Sequence, residues 1–283
     1  MKVAFQGELG AYSEEAVHAL FPGAGVHPKV SFDDVFRSVE SGEVDSGVIP
    51  IENSLFGSVH VNYDLLRRHD LMITGEWHLR IQHHLLVNKG VKLDEVTHVY
   101  SHPQALGQCQ DFIREHLSAA EVVPAYDTAG AAKMVAEQQI RGHAAIASNR
   151  AGEKYGLDFL ASGIESDHQN YTRFLALQTQ DRAAHAVPAG LPAEAMKTSV
   201  MYAVQENVPG ALFKSLAVFA LRDLDLFKIE SRPLVGSPGK YVFYIDLQGN
   251  VEEERVKRAL GHLGEIAADV KVLGSYPRAE IGQ

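Results

Sequence analysis

The sequence predicts an α/β protein in two parts: a larger body of alternating strands and helices, then a smaller βαββαβ module. Three observations predict it. Short apolar runs alternate with helical patterns through residue 180, which implies sheets of parallel strands covered by helices. Residues 181–197 are rich in Ala and Pro, follow no period and read as a linker. Beyond them, residues 198–283 change rhythm, with pairs of strands between single helices. The length agrees, since 283 residues is about 1.9 times the ~150 expected of one domain.

In the body, Val3–Phe5 is a short strand ending near Gly7. Ser13 precedes Glu14 and Glu15, acids in the first turn of a helix whose apolar stripe is Ala16, Val17, Leu20 and Phe21; Pro22-Gly23 stops it. Asp33–Ser41 is a second helix, Gly47–Ile49 a buried strand ending at Pro50, and Val59–His69 a third helix. Leu79, Ile81, His83, Leu85 and Val87 alternate with other residues as a half-buried strand does. Val96–Tyr100 is a strand and Pro103–Leu117 a helix; Glu121–Pro124, Thr128–Gln139 and His143–Ala147 repeat the alternation, and Tyr171–Thr179 closes the body as a strand. The C-terminal module reads Thr198–Gln205 strand, Pro209–Leu221 helix, Leu226–Ser231 and Gly239–Leu247 strands, Val251–Leu263 helix and Val270–Gly274 strand, a ferredoxin-like order in roughly 80 residues.

A net charge of −10 argues against a general nucleic-acid binder, which needs a basic face for phosphates, though not against an anionic small molecule. One cysteine, Cys109, rules out an internal disulfide and a CxxC metal knuckle. No run approaches the ~18 apolar residues of a membrane helix, and the first apolar run is too short for a signal peptide. A soluble, cytoplasmic protein with no nucleic-acid or membrane partner is expected.

Ligands of such folds bind where loops converge beyond the carboxyl ends of strands. Pro50-Ile51-Glu52-Asn53-Ser54 follows one strand, and its Asn and Ser either cap a turn or meet a ligand. Ser101-His102-Pro103-Gln104 follows another, where Ser101 can cap the next helix or bind an anion there; Gln108 lies further in. Asp127-Thr128 repeats the strand-then-cap arrangement. In Asn170-Tyr171-Thr172-Arg173-Phe174, period two puts Thr172 and Phe174 on one face and Arg173 on the other. There are 14 histidines, but adjacent His83 and His84 would point to opposite faces, poor geometry for a metal. Neither GxGxxG nor a Walker A motif is present, so no cofactor and no metal are expected. In the C-terminal module, Asn207-Val208-Pro209-Gly210-Ala211-Leu212 starts a helix, and Glu230-Ser231-Arg232-Pro233 ends a strand.

Gly10-Ala11-Tyr12-Ser13-Glu14-Glu15-Ala16 and the PIENS, SHPQ and NYTRF stretches resemble prephenate dehydratases, in family order. Pro209–Leu212, Glu230–Pro233 and Leu273-Gly274-Ser275-Tyr276-Pro277 resemble the ACT regulatory module that follows in that family. The resemblance spans nearly the whole chain. It implies a two-lobed catalytic domain over residues 1–180, similar to type 2 periplasmic binding proteins, with one lobe of about 1–77 plus 171–180 and the other of about 78–170. A C-terminal ACT domain would follow over 198–283. It implies conversion of prephenate to phenylpyruvate, water and CO₂ in phenylalanine biosynthesis, with feedback by L-phenylalanine and a homo-oligomer, dimer or tetramer, formed through ACT domains. By motif, Thr172 matches the family's essential threonine, with Glu52 and Asp127 as acidic partners. Asn53, Ser54, Ser101, Gln108, Thr128, Arg173 and Phe174 match substrate-binding positions, although Arg173 can clamp a carboxylate only where the strand is irregular. Asn207, Gly210, Ala211, Leu212, Glu230, Ser231 and Arg232 match effector-binding positions. Some members carry an N-terminal chorismate mutase domain; here the dehydratase motifs begin at residue 5, so no mutase activity is expected. The rival readings are arogenate dehydratase, with an amino group on the substrate side chain, and a non-catalytic amino-acid sensor.

Overall fold

A computed structural model describes residues 1–281 except 185, 187–194, 206, 207 and 235. Much of the expected linker, and Asn207, lie outside the described residues. The chain divides into two compact units: residues 1–63, 77–174 and 280–283 form the first, and residues 64–76 with 175–279 form the second. Sequence reading placed residues 64–76 with the first lobe.

The elements of the larger body are β1 (Lys2–Gln6), α1 (Tyr12–Leu20), β2 (Gly25–Lys29), α2 (Phe32–Glu40), β3 (Ser46–Asn53), β4 (Gly57–Ser58), α3 (His60–Arg68), β5 (Met72–Arg80), β6 (His84–Val87), β7 (His98–Ser101), α4 (Pro103–Gln108), α5 (Gln110–His116), β8 (Glu121–Pro124), α6 (Thr128–Gln138), β9 (His143–Ala147), α7 (Asn149–Tyr155), β10 (Asp158–Ser162) and β11 (Tyr171–Gln178). One sheet runs β2-β1-β3-β11-β5, with β4 paired to β3; the other runs β10-β6-β9-β7-β8. The expected all-parallel sheets are mixed instead. β1 is parallel to β2 and β3, and β7 to β8 and β9, but β6 is antiparallel to both β9 and β10.

Several elements differ from expectation for local reasons. β2 carries Pro28, which reads as a breaker; as an edge strand it tolerates the missing N–H. The alternating run 79–87 is not one strand. β5 ends at Arg80 and β6 starts at His84, and between them the Ile81 N–H donates to the Asn170 carbonyl and the His83 N–H to the Glu165 carboxylate. The helix expected over 103–117 breaks at Cys109, which leaves helical geometry at φ −104°, ψ 14°. The cysteine is buried among Leu85, Val99 and Ile146, and burial holds its thiol far above the usual range, an inert thiol.

The two sheets of the first unit share a core: Val3, Phe5 and Val48 pack in one cluster with Ala129, Ala132 and Val135 of α6 and with Ala147 and Ala151. Gly10 sits where that packing is tightest. At φ +93°, its added Cβ would lie 2.8 Å from the Ala151 Cα, so only glycine fits.

In the second unit, α8 (Gln180–Ala183) precedes β12 (Met196–Val204), α9 (Ala211–Ala220), β13 (Leu226–Pro233), β14 (Tyr241–Gln248), α10 (Glu254–Ile266) and β15 (Ala267–Pro277). The sheet order β13-β14-β12-β15 is antiparallel throughout, the arrangement the βαββαβ pattern predicts. Residues 64–76 belong to this unit through ion pairs. Glu76 accepts from Lys197 Nζ at 2.7 and 2.9 Å, both side chains buried, and Arg232 donates to Asp64 at 2.9 Å.

Candidate functional site

The PIENS and NYTRF stretches meet side chain to side chain. Glu52 and Asn53 at the end of β3, with Ser54 just beyond it, engage Arg173, Thr172 and the Tyr171 backbone N–H, so partners run in opposite order along the two segments. Ser54 Oγ donates to the Gln169 carbonyl at 2.8 Å and accepts from the Tyr171 N–H at 3.0 Å, which closes the end of the pair.

Asn53 is fully committed. Its Oδ1 accepts the backbone N–H groups of Leu55 and Phe56 at 3.0 and 3.1 Å, which fixes the amide's orientation. Its Nδ2 therefore faces the other way and donates to Thr172 Oγ1 at 2.9 Å and to Asn170 Oδ1 at 2.8 Å. An amide nitrogen only donates, so Thr172 accepts here, and its own hydroxyl proton has no acceptor among the described residues. The Nδ2 of Asn170 is likewise buried without an acceptor among the described residues.

Glu52 lies on the other side of its strand from Asn53, as strand alternation requires. There Arg173 donates to its Oε1 at 3.3 Å, and Arg173 is only 4% exposed. Arg173 thus faces away from Thr172, as a regular strand dictates. Phe174 packs in the shared core with Val3, Phe5 and Val48 at 2% exposure, so it supports the strand from beneath.

A second group forms around the segment between β5 and β6. Gln108, at the end of α4, meets His83 Nε2 through its Oε1 position at 2.5 Å; His83 Nδ1 lies 2.8 Å from the Tyr12 hydroxyl, and that hydroxyl donates to the Gln82 carbonyl at 2.6 Å. Burial lowers the His83 pKa below the ordinary histidine value. This group joins the first through the backbone, because Ile81, two residues before His83, donates to the Asn170 carbonyl.

Ser101 is fully buried and donates to the Ile146 carbonyl at 2.5 Å; the cap of α4 is His102, whose Nδ1 accepts from the Gln104 N–H. Asp127 does cap its helix, accepting the Gly130 N–H at 2.5 Å, and Thr128 opens that helix. Burial and the charge of Glu8 push the Asp127 carboxyl above the usual range, although the Gly130 N–H opposes this. Ser148 and the Gly7–Tyr12 loop add contacts that sequence reading did not assign: Ser148 Oγ donates to the Gly10 carbonyl at 2.6 Å, and Arg150 donates to Glu14 at 2.8 Å. Beside them burial raises Glu15 to about 7, with Ser148 and Arg150 lowering it in part. Among the described residues no group of three His, Cys, Asp or Glu side chains could hold a metal.

Tyr12 and Asn170 stand inside the GAYSEEA and NYTRF stretches, so their positions were marked but their partners were not. His83 was weighed only as a metal ligand, and nothing in one strand's periodicity points to Tyr12 or Gln108.

In the second unit, a groove of about 300 Å³ is lined by Gly210, Ala211 and Leu212 with Val204, Val208, Phe213, Tyr241 and Phe243. Gly210, at φ +83°, is the N-cap of α9, a left-handed position suited to glycine. Glu230, Ser231 and Arg232 do not line this groove. Arg232 is held by Asp64, Lys228 Nζ lies 3.9 Å from Glu230, and Ser231 alternates to the exposed side of β13.

Comparison with known proteins adds to this geometry. The prephenate dehydratase family model matches residues 3–182. The chain is 46% identical to arogenate dehydratase 2 of Petunia hybrida over 98% of its length and 72% of that protein. It is 44% identical to the chloroplastic arogenate dehydratase/prephenate dehydratase 2 of Arabidopsis thaliana, over 98% of this chain and 73% of that one. Among solved structures, a prephenate dehydratase in complex with L-Phe from Arthrobacter aurescens superposes with a TM-score of 0.88 at 33% identity, covering 99% of this chain and 90% of that one. A protein described as GqqA, a novel type of quorum quenching acylase, superposes with a TM-score of 0.89 at 32% identity, with full coverage of both chains. The expectation of a cytoplasmic protein is withdrawn, because plant relatives this similar are chloroplastic. A single cysteine excludes an internal disulfide and carries no address.

Proposed function

The chain belongs to the prephenate dehydratase family, and from that premise we propose that it catalyses the decarboxylating dehydration of prephenate to phenylpyruvate. In this reaction the bond from the ring to its carboxylate breaks and CO₂ leaves. The released electron pair moves through the cyclohexadiene, the opposite C–O bond breaks, and the departing oxygen takes up one proton to leave as water. Aromatisation drives the sequence, so the protein's task is to hold two carboxylates and to assist the leaving oxygen.

The observation that carries this reading is the unspent proton of Thr172. Asn53 supplies the hydrogen bond that Thr172 accepts, which leaves the threonine O–H to donate to the leaving oxygen. A threonine hydroxyl is too weak an acid to give up its proton unaided, so it stabilises the developing charge and relays a proton from an acid. Of the two acids that the motifs offer, Asp127, which caps α6 and whose carboxyl burial raises, is the one not held by Arg173. Glu52 is committed to Arg173 on the opposite side of the strand and serves to hold β3 to β11.

Arogenate is the second reading, favoured by relatives named arogenate dehydratase at 46% identity. We further read the C-terminal βαββαβ sheet as an ACT module that binds L-phenylalanine at the groove beside Gly210 and pairs with a second copy in a homo-oligomer. The L-Phe complex of the Arthrobacter aurescens enzyme supports the effector. Incubating the protein separately with prephenate and arogenate tests the reaction. Phenylpyruvate from the first, or phenylalanine from the second, identifies the substrate. No product from either overturns the assignment and favours an amino-acid sensor.

A further inference from the structure

The group around His83 admits a complete account of its protons, and that account fixes which way the Gln108 amide is turned. The Tyr12 hydroxyl has one proton and lies 2.6 Å from the Gln82 carbonyl oxygen. A carbonyl only accepts, so the tyrosine proton goes there. His83 Nδ1, 2.8 Å from the same hydroxyl, must then be the donor and carry hydrogen. A neutral imidazole so protonated has a bare lone pair at Nε2, and that lone pair faces the Gln108 amide. Only the NH₂ end of the amide satisfies it, so the Gln108 amide is turned with its nitrogen on His83. Its carbonyl oxygen occupies the other end of the amide, which has no partner among the described residues.

From this chain of bonds we infer that Tyr12 and His83 are positioning residues that hold Gln108 as a hydrogen-bond acceptor for the substrate. The inference rests on the reading of the site as a dehydratase site. Two donors of the proposed substrates fit such an acceptor: the ring hydroxyl, which prephenate and arogenate share, and the side-chain ammonium, which only arogenate has. The arrangement depends on His83 remaining neutral. Burial, the largest effect, favours the neutral form and the neighbouring His84 acts in the same direction; the Gln108 contact opposes it while an amide oxygen faces Nε2, and so does the Glu165 carboxylate, which accepts the His83 N–H. Glu165 is itself faced by Arg80 at 3.9 Å, whose permanent positive charge offsets it, and by His168 at 3.4 Å. The remaining groups facing this cluster are Glu15 and Cys109, both on the Tyr12 side. Protonating His83 would make both its nitrogens donors and turn the Gln108 amide end for end, presenting an NH₂ group where an acceptor stood.

Nitrogen-15 NMR of the full chain with labelled histidine reads the tautomer directly and needs no activity. At pH 7.5 His83, assigned by its absence in His83→Gln, is expected as the Nδ1–H tautomer. Tyr12→Phe removes the acceptor for that proton and should shift the signal toward Nε2–H. An Nε2–H tautomer or an imidazolium in the wild type at pH 7.5 overturns the inference, whatever the enzyme turns over. In the activity arm, Tyr12→Phe should lower kcat/KM about 3- to 10-fold, the worth of one hydrogen bond. An equal fall for both substrates places the ring hydroxyl on Gln108; a larger fall for arogenate places the ammonium there. Unchanged kcat/KM for both substrates overturns the positioning role even where the tautomer is as expected.

Discussion

Asn53 donates to Thr172 and cannot accept from it, because its carbonyl oxygen is already held by the backbone N–H groups of Leu55 and Phe56. The direction of this one hydrogen bond leaves the threonine proton available. Thr172→Val keeps the shape and removes the hydroxyl, and kcat should fall by about 10²–10⁴, the range of a lost general-acid contribution. Thr172→Ser keeps the hydroxyl and should stay within about tenfold of wild type. Steady-state assays of the two variants check this, and wild-type turnover by the valine variant would remove Thr172 from the chemistry.

The same bond predicts an effect for a residue that need not touch the reacting atoms. Asn53→Asp replaces the donor with a second acceptor, which draws the threonine proton to itself. The variant should lose turnover about as severely as Thr172→Val, and combining both should cost little more than either, because residues acting as one unit are not additive. Circular dichroism and thermal melting separate this outcome from misfolding.

How much of this was legible in the sequence follows from the range of each interaction. Period two in Tyr171–Phe174 correctly set Thr172 against Arg173, because strand alternation is local. It also set Phe174 beside Thr172, but one strand cannot reveal that the shared core covers Phe174, a fact of packing 3D neighbours such as Val48. Capping at Asp127 was readable from its place before a helix, whereas at α4 the cap moved from Ser101 to His102 because the neighbouring Ile146 carbonyl captures the serine. The alternating run 79–87 mimicked a strand because the crossing segment buries Ile81 and His83 but not Gln82. Pairings such as Glu52–Arg173 and Tyr12–His83 join residues far apart in the chain, and no spacing announces them.

The Glu52–Arg173 pair is a structural tie whose worth can be measured. Arg173 is almost fully buried, so removing the Glu52 charge takes a counter-charge away from a desolvated cation. Glu52→Gln should destabilise the fold by about 1–3 kcal/mol, less than for a fully buried pair because Glu52 is 29% exposed. Glu52→Gln combined with Arg173→Met should be more stable than the sum of the single changes predicts, since the buried cation is removed together with its counter-charge. Denaturant titration of the three variants gives the coupling, and strict additivity would mean that the pair carries no energy.

Regulation is better tested by point substitution than by truncation. Deleting residues from Ser199 onward leaves Asp64 and Asp70 without Arg232 and Lys271, and it strips the sheet around the buried Glu76–Lys197 pair. Such a deletion should yield aggregated protein. Leu212 lines the groove and is 39% exposed, so Leu212→Ala should fold normally. It should raise the phenylalanine concentration for half inhibition by about fivefold or more, as loss of one apolar contact of about 1 kcal/mol or more does. Inhibition curves on purified protein measure the shift, and an unchanged curve with intact fold would place the effector elsewhere.

Glu15 makes stability depend on pH in an unusual direction. Burial raises its pKa to about 7 in the folded chain, above the value of 4.5 for an ordinary glutamate. The folded state therefore holds a proton that the unfolded chain releases, and the group's contribution is fully present below about pH 4.5. That contribution is lost as pH rises toward 7, amounting to about 1–3 kcal/mol after allowance for the partial exposure of the side chain. Glu15→Gln cannot ionise and keeps the neutral shape. Its melting temperature relative to wild type should therefore increase between pH 5 and pH 8. A difference that stays constant across that interval would mean that Glu15 titrates normally.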